Sequence, residues 1–325
     1  MSDPTLEVRG LRTHFMTDAG VVRAVDDVSL TVERGKILGL VGESGSGKSV
    51  TGFSVIGLVD PPGKVVGGQI IYHGRDLATL TKEDMRELRG NRIAMIFQDP
   101  MMTLNPVLRI DTQMIEAVQA HSSVSRESAR IRASETLALV GIPAPDARLK
   151  SYPHQFSGGM RQRVAIAIAL LHNPDLIIAD EPTTALDVTI QGQILAEVQK
   201  LVRERHTALI WITHDLSVVA GLADEIAVMY AGRIVETGPA DLVLDQPAHP
   251  YTQGLIDSLP SANRRGARLR QVPGMTPNLL NLPGGCAFRP RCGRADAACL
   301  QDPPLFKIGS GRTHRCFHPL EGQPA

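Results

Sequence analysis

The stretch Gly42-Glu43-Ser44-Gly45-Ser46-Gly47-Lys48-Ser49 limits what this chain can fold into more than any other. It fits the phosphate-loop pattern G-x-x-x-x-G-K-[ST] with no position missing. Three glycines and two small serines let the backbone turn tightly, so that successive N–H groups face one anion. The apolar run Ile37-Leu38-Gly39-Leu40-Val41 before it reads as a buried strand, and Val50 to Leu58 after it as a helix. The partial positive charge at that helix's N-terminus favours phosphate. In such a loop Lys48 reaches the β- and γ-phosphates of a nucleotide and the Ser49 hydroxyl sits on Mg²⁺. The pattern predicts an α/β fold with a phosphate-binding loop between strand and helix.

Charge and hydropathy narrow the classes further. The 34 basic residues balance the 34 acidic ones, which argues against a nucleic-acid partner, whose binder usually carries a basic face. The start, Met1-Ser2-Asp3-Pro4-Thr5, has neither a basic region nor an apolar one of secretory type. The longest apolar stretches, around Val164–Leu171 and Ala208–Ile212, are too short to span a bilayer. The expectation is a cytoplasmic protein that reaches a membrane only through partners.

Along the chain, strand-like alternation in Leu6-Glu7-Val8, Ala24-Val25 and Val28 to Val32 leads into the loop strand. Phe15, upstream of the loop, is a candidate for stacking on an adenine ring, with packing inside a hairpin as the alternative. Gly68 to Tyr72 is another β-rich piece, followed by a polar helix over Lys82–Arg89 and a buried-looking strand Ile93 to Phe97 that ends in Gln98. From 99 to 174 the apolar spacing turns helical, over 110–120, 125–140 and 159–172, with breaks at Gly141-Ile142-Pro143 and Tyr152-Pro153. This predicts a helical subdomain inserted into the α/β core. Within it Ser157-Gly158-Gly159 directly precedes a long helix and offers a second anion site by the same N-terminus argument.

Leu176-Ile177-Ile178-Ala179 predicts a buried parallel strand delivering Asp180 and Glu181 at its C-terminal end, where ligands sit in open α/β sheets. Neighbouring residues on a strand face opposite ways, so the two carboxylates need different work. Asp180 is expected to hold Mg²⁺ through its water shell, and Glu181 to orient or deprotonate an attacking water. The strand Leu209 to Thr213 ends in His214, a candidate contact for the γ-phosphate. Glu225–Met229 and Arg233–Val235 read as the last core strands, and Pro239, Pro247 and Pro250 mark a boundary.

The ordered set resembles the ATP-binding subunits of ATP-binding cassette (ABC) transporters: loop 42–49, Gln98, Ser157-Gly158-Gly159, Asp180-Glu181, Ala185-Leu186-Asp187 and His214. The wording of Phe97-Gln98-Asp99-Pro100, Leu104-Asn105-Pro106, Tyr152-Pro153-His154-Gln155 and His249-Pro250-Tyr251-Thr252 is similar to the oligopeptide/dipeptide importer branch. Phe156 and Met160 depart from the commonest Leu and Gln around Ser-Gly-Gly. The resemblance implies an ABC ATPase core with a helical subdomain, an antiparallel β subdomain and a cysteine-containing C-terminal extension, divided as 1–245 and 246–325. It implies ATP hydrolysis on the cytoplasmic face of the inner membrane and a head-to-tail dimer with a second cassette, a different chain. Two transmembrane permease subunits would dock on the helical subdomain, and an extracytoplasmic peptide-binding protein would complete the complex. Gln98 would then link γ-phosphate and metal to the helical subdomain, and Asp187 would lie at the dimer interface. Other solutes of the same branch (glutathione, nickel complexes, antimicrobial peptides) and a soluble non-transport ABC ATPase are the alternatives.

Cys286, Cys292, Cys299 and Cys316 are the chain's four cysteines. Their spacing is not the paired C-x₂-C of structural zinc, and prolines and glycines around them predict an irregular segment. Four thiolates can ligate one [4Fe–4S] cluster, a reading the importer resemblance supports; zinc and free thiols are the alternatives.

Overall fold

The computed structural model describes residues 4–183, 188–263, 266, 270–309 and 311–320, and in 188–190 the backbone alone. In chain order the strands are β1 (Leu6–Thr17), β2 (Gly20–Val32), β3 (Ile37–Val41), β4 (Gly63–Tyr72), β5 (Arg75–Asp76), β6 (Ile93–Ile96), β7 (Leu176–Asp180), β8 (Ala208–Thr213), β9 (Glu225–Tyr230), β10 (Arg233–Pro239), β11 (Phe306–Ile308) and β12 (Arg312–His314). The chain divides into two compact units. One is built mainly from residues 79–210, the other from 6–32, 37–78 and 211–325.

In the second unit β1, β2, β4 and β5 form an antiparallel sheet in the order β2-β1-β4-β5. Register shifts interrupt β1 after Val8 and again near Thr13, where Gly10 takes φ +56°. That break in the period of two is why only fragments of these long strands show as alternation in the sequence. The same unit carries the run β11-β12-β10-β9-β3. Here β3 and β9 are parallel, with Leu38 opposite Glu225 and Val41 opposite Val228, and the other pairs are antiparallel. All five residues of β3 are buried, as expected of a parallel strand covered on both faces. Its start is pinned by Asp224, whose carboxylate accepts from the Ile37 N–H at 2.9 Å.

The prolines and glycines around the cysteines predict an irregular segment, but two short strands of the C-terminal region continue this sheet. Thr313 and His314 pair with Thr237 and Glu236 of β10, beneath a buried ion pair between Arg312 and Glu236 at 3.1 Å. The described residues of 246–320 therefore lie in the same compact unit as the phosphate-binding loop.

The first unit places β6 parallel to β7, Ile93 opposite Leu176 and Ile96 opposite Ala179. Helix Ile110–Gln119 packs on helix Arg126–Leu139, and that helix packs on Gly158–Leu170. The contact faces are Ile110, Met114, Ile115 and Val118 on the first and Ala129, Ala133 and Leu137 on the second, all buried. Each large aliphatic side chain taken out of water contributes roughly 1.5–3 kcal/mol. The alanine-rich third helix is buried nearly all round, which small side chains permit by close approach.

Candidate nucleotide site and cysteine centre

The phosphate-binding loop runs from β3 into the helix Lys48–Val55. That helix starts two residues before the sequence predicts, because Lys48 and Ser49 already belong to its first turn. Gly42, Gly45 and Gly47 take φ of +155°, +79° and +103°. The turn is closed so tightly that a Cβ on Gly42 would collide with the Met229 carbonyl, and one on Gly47 with the carbonyl of Ala24. The helix has no side-chain cap and no acidic residue in its first turn, so its N-terminal donors and dipole are not countered by the chain's own groups. Lys48 is 5% exposed, and its ammonium donates to the carbonyls of Gly42 at 2.8 Å and Glu43 at 2.9 Å. The Ser46 hydroxyl is fully buried and has no hydrogen-bond partner among the described residues. A glycine cradle, an open helix start and this orphaned hydroxyl fit a polyphosphate with its magnesium.

In the other unit β7 ends at Asp180, a carboxylate 5% exposed. Glu181 follows with φ +44°, a left-handed conformation costly for a residue with a side chain and common at functional sites. This turn lets two adjacent carboxylates leave the strand differently. Gln98, two residues beyond β6, donates from Nε2 to Glu181 Oε2 across 3.4 Å. The parallel pairing of β6 and β7 thus brings together two side chains that the sequence predicts separately.

Ser157 caps the helix Gly158–Leu170, its hydroxyl accepting from the Met160 N–H at 3.3 Å. No acidic residue stands in that helix's first turn. A Cβ at Gly158 would meet nothing within 4 Å, so the chain's own packing gives no reason for glycine there. Phe156, one of the two departures from the usual wording, is buried, with the Arg148 guanidinium 5.9 Å from its ring centre. It is a core residue.

His214 follows β8 and is exposed, at the mouth of a turn where Asp215 caps the next helix by accepting from the Ser217 N–H at 2.8 Å. Phe15 lies on β1 opposite Val22 and Gly63. Its ring covers Gly63 so closely that a Cβ there would approach it to 2.6 Å. That is the hairpin packing the sequence offers as the alternative to adenine stacking. Asp187 lies outside the described residues.

The four cysteines come together. Cys286, Cys292, Cys299 and Cys316 line one small cavity, and none is in a disulfide. Burial, with the other three thiols adding to it, pushes the Cys316 thiol up to about 11. Burial raises Cys286 too. Thiolates gathered in one cavity repel one another, and a cation among them offsets that repulsion. Backbone N–H groups of Arg294 and His318 approach the sulfurs of Cys292 and Cys316 at 3.4 Å, and Arg289 and Arg294 also line the cavity. Donor set, N–H···S contacts and cationic rim fit an anionic metal–thiolate centre. Asp296 and His318 escaped the sequence reading. Their ligand atoms and the Cys299 sulfur all lie within 4.8 Å of one another, and His318 meets Asp296 at 2.9 Å. No local pattern announces them.

Fold and site define an ATP-hydrolysing P-loop cassette. Comparison with known proteins agrees. The family model described as "ABC transporter" matches residues 25–184, and "Oligopeptide/dipeptide transporter, C-terminal region" matches residues 235–299. The oligopeptide transport ATP-binding protein OppD of Salmonella typhimurium is 49% identical over 316 residues, 97% of this chain and 94% of its own length. OppD of Escherichia coli is 48% identical over 320 residues, 98% and 95% of the two chains. Among solved structures, the dimeric post-hydrolysis state of the ATP-binding cassette MJ0796 bound to ADP and Pi matches with TM-score 0.66 and 26% identity, over 72% of this chain and 98% of that one. The chain belongs to the ATP-binding proteins of ABC transporters, in their oligopeptide/dipeptide branch, and is an ATPase.

Proposed function

We propose that this ATPase drives import of di- and oligopeptides as one of two cassettes that close head to tail on ATP. Relatives named for oligopeptide transport, at nearly half identity over nearly the whole chain, support the substrate class. The observation that carries the paired arrangement is the helix start at Ser157-Gly158-Gly159. It is uncountered by acidic residues and left open at Gly158, as a surface must be if it closes on phosphates held by another subunit.

In this reading residues 1–245 form the ATP-binding domain and 246–325 the extension. Backbone amides of 42–49 and the Lys48 ammonium hold the β- and γ-phosphates. Ser49, Gln98 and Asp180 would hold Mg²⁺, which when bound would supply positive charge to neutralise the phosphates. Glu181 accepts the proton of the attacking water, with Gln98 setting its orientation, and His214 contacts the γ-phosphate. Asp187 would contribute to the cassette interface. The partner is a second, different cassette. Two permease subunits dock on the helical subdomain 99–174, and a peptide-binding protein delivers solute from outside. Among the described residues no helix is long and apolar enough to cross a membrane, so attachment to the inner membrane runs through those permeases. The four cysteines hold a [4Fe–4S] cluster, which would supply a covalent cross-link to the extension.

Deleting the gene and measuring uptake of labelled dipeptides, longer oligopeptides and glutathione tests the proposal. Peptide uptake should vanish, return with the intact chain and stay absent with Lys48→Ala. Unchanged peptide uptake alongside loss of another solute would overturn the substrate assignment.

A further inference from the structure

The phosphate-binding loop is not held by its own residues alone. Position 43 is one of the free positions of the loop pattern, yet Glu43 is gripped at both ends. Its backbone N–H donates to the Tyr251 hydroxyl at 2.9 Å. Its carboxylate accepts a two-pronged pair from Arg291, Nη1 to Oε2 at 2.6 Å and Nη2 to Oε1 at 2.9 Å. The carbonyl of the same residue takes the Lys48 ammonium at 2.9 Å. Arg291 is deeply buried, its side chain 5% exposed. It is fixed by donating from Nε to the Pro273 carbonyl at 2.7 Å and by the Tyr230 and Phe288 rings, whose centres lie 5.8 and 5.9 Å away. It is also the residue immediately before Cys292. Covalent chain and side-chain contacts therefore run without a gap from the cysteine centre, through Arg291 and Glu43, to Lys48.

We propose that Arg291 and Glu43 form a strut through which the four-cysteine segment sets the grip of the phosphate-binding loop on ATP. A forked guanidinium–carboxylate pair fixes direction as well as distance. Shifting Arg291 leaves a buried charge without its partner and removes the side-chain anchor of Glu43, leaving its peptide held by Tyr251 and Lys48 alone. Arg291 is a positioning residue. It acts on ATP through Glu43, and the filled cysteine centre holds Cys292, and so Arg291, in place. The dependence on filling rests on the metal-centre reading above.

The test measures equilibrium binding of Mg²⁺–ATPγS to the full-length chain purified without oxygen, with iron and sulfide assayed on the same samples. Arg291→Met should raise Kd about tenfold or more, and Arg291→Lys, which keeps the charge and loses the fork, by a smaller factor. Cys292→Ser should weaken binding in the native background and add little in the Arg291→Met background. Wild-type affinity in both Arg291→Lys and Glu43→Gln overturns the strut, and these milder variants decide the matter if Arg291→Met does not fold. An undiminished Cys292→Ser effect in the Arg291→Met background also overturns it. If the native chain carries no metal while Arg291 variants still lose ATP, the metal reading falls and the ion pair's hold on the loop stands.

Discussion

Gln98 donates its side-chain amide to Glu181 across 3.4 Å, linking the ends of two parallel strands whose residues are 83 positions apart. Glu181→Gln keeps the size and removes the proton acceptor. Hydrolysis should fall by roughly 10²–10⁴, the usual worth of a general base, while ATP binding persists. Turnover by the purified cassette pair, with light scattering or gel filtration to detect a closed dimer, checks this. Near-normal turnover would remove Glu181 from the role of base.

Gly47 has φ +103°, and any Cβ there drives into the Ala24 carbonyl and comes within 2.7 Å of the Met229 methyl. Backbone cannot swing aside as a flexible side chain can. Gly47→Ala should therefore distort the loop, with a penalty of at least about 1–3 kcal/mol from strained backbone alone, and weaken ATP binding tenfold or more. Gly158→Ala, at a helix start with open space around its Cβ, should leave ATP binding to the isolated chain unchanged and slow hydrolysis only when two cassettes must close. Nucleotide binding to the single chain, set beside turnover of the pair, separates the two cases.

Local chemistry was legible in the sequence wherever one stretch contained its own reason. The loop, β3 and β7 show as glycine pattern and as fully apolar runs, and both strands are buried at every position. The helix Gly158–Leu170 lies within two residues of its predicted 159–172. What escaped depends on partners far away in sequence. Arg291 meets Glu43 across 248 positions, and neither residue is unusual in its own surroundings. β11 and β12, three residues each, are too short to show a period and exist because β10 offers an open edge. The four cysteines are legible as one ligand set from their number, and the intervening chain, not a fixed short loop, brings them to one cavity.

Those thiols give a prediction of metal loss. Burial holds the Cys316 thiol up near 11 and raises that of Cys286, so thiolates there are unfavourable without a cation beside them. On the proposed metal-centre reading, stripping the metal should protonate these thiols and loosen the segment around them. Protein purified without oxygen should show iron, sulfide and visible absorption. Treatment with a chelator under air should bleach it, lower the melting temperature and expose the cysteines to alkylation. Cys299→Ser, at a buried position lining the same cavity, should mimic the stripped state. Absence of iron together with one zinc per chain would replace the cluster by zinc, and absence of both would leave free thiols.

His172 lies against the helix Ile110–Gln119, its Nε2 3.0 Å from the Ala117 carbonyl and its ring edge-on to His121 at 5.2 Å. Burial, which outweighs the hydrogen bond to Ala117, lowers its pKa below the ordinary 6.5, and Arg132 and His121 push the same way. The folded state therefore prefers the neutral ring. Its contribution is fully present above about pH 6.5, where the unfolded chain is also neutral, and declines as acid protonates the unfolded chain first. Urea unfolding should show stability falling from pH 7.5 to 5.5. In His172→Gln, which keeps a donor for the Ala117 carbonyl without a titrating ring, the fall should be smaller. An equal fall in both proteins would assign the acid sensitivity to other groups.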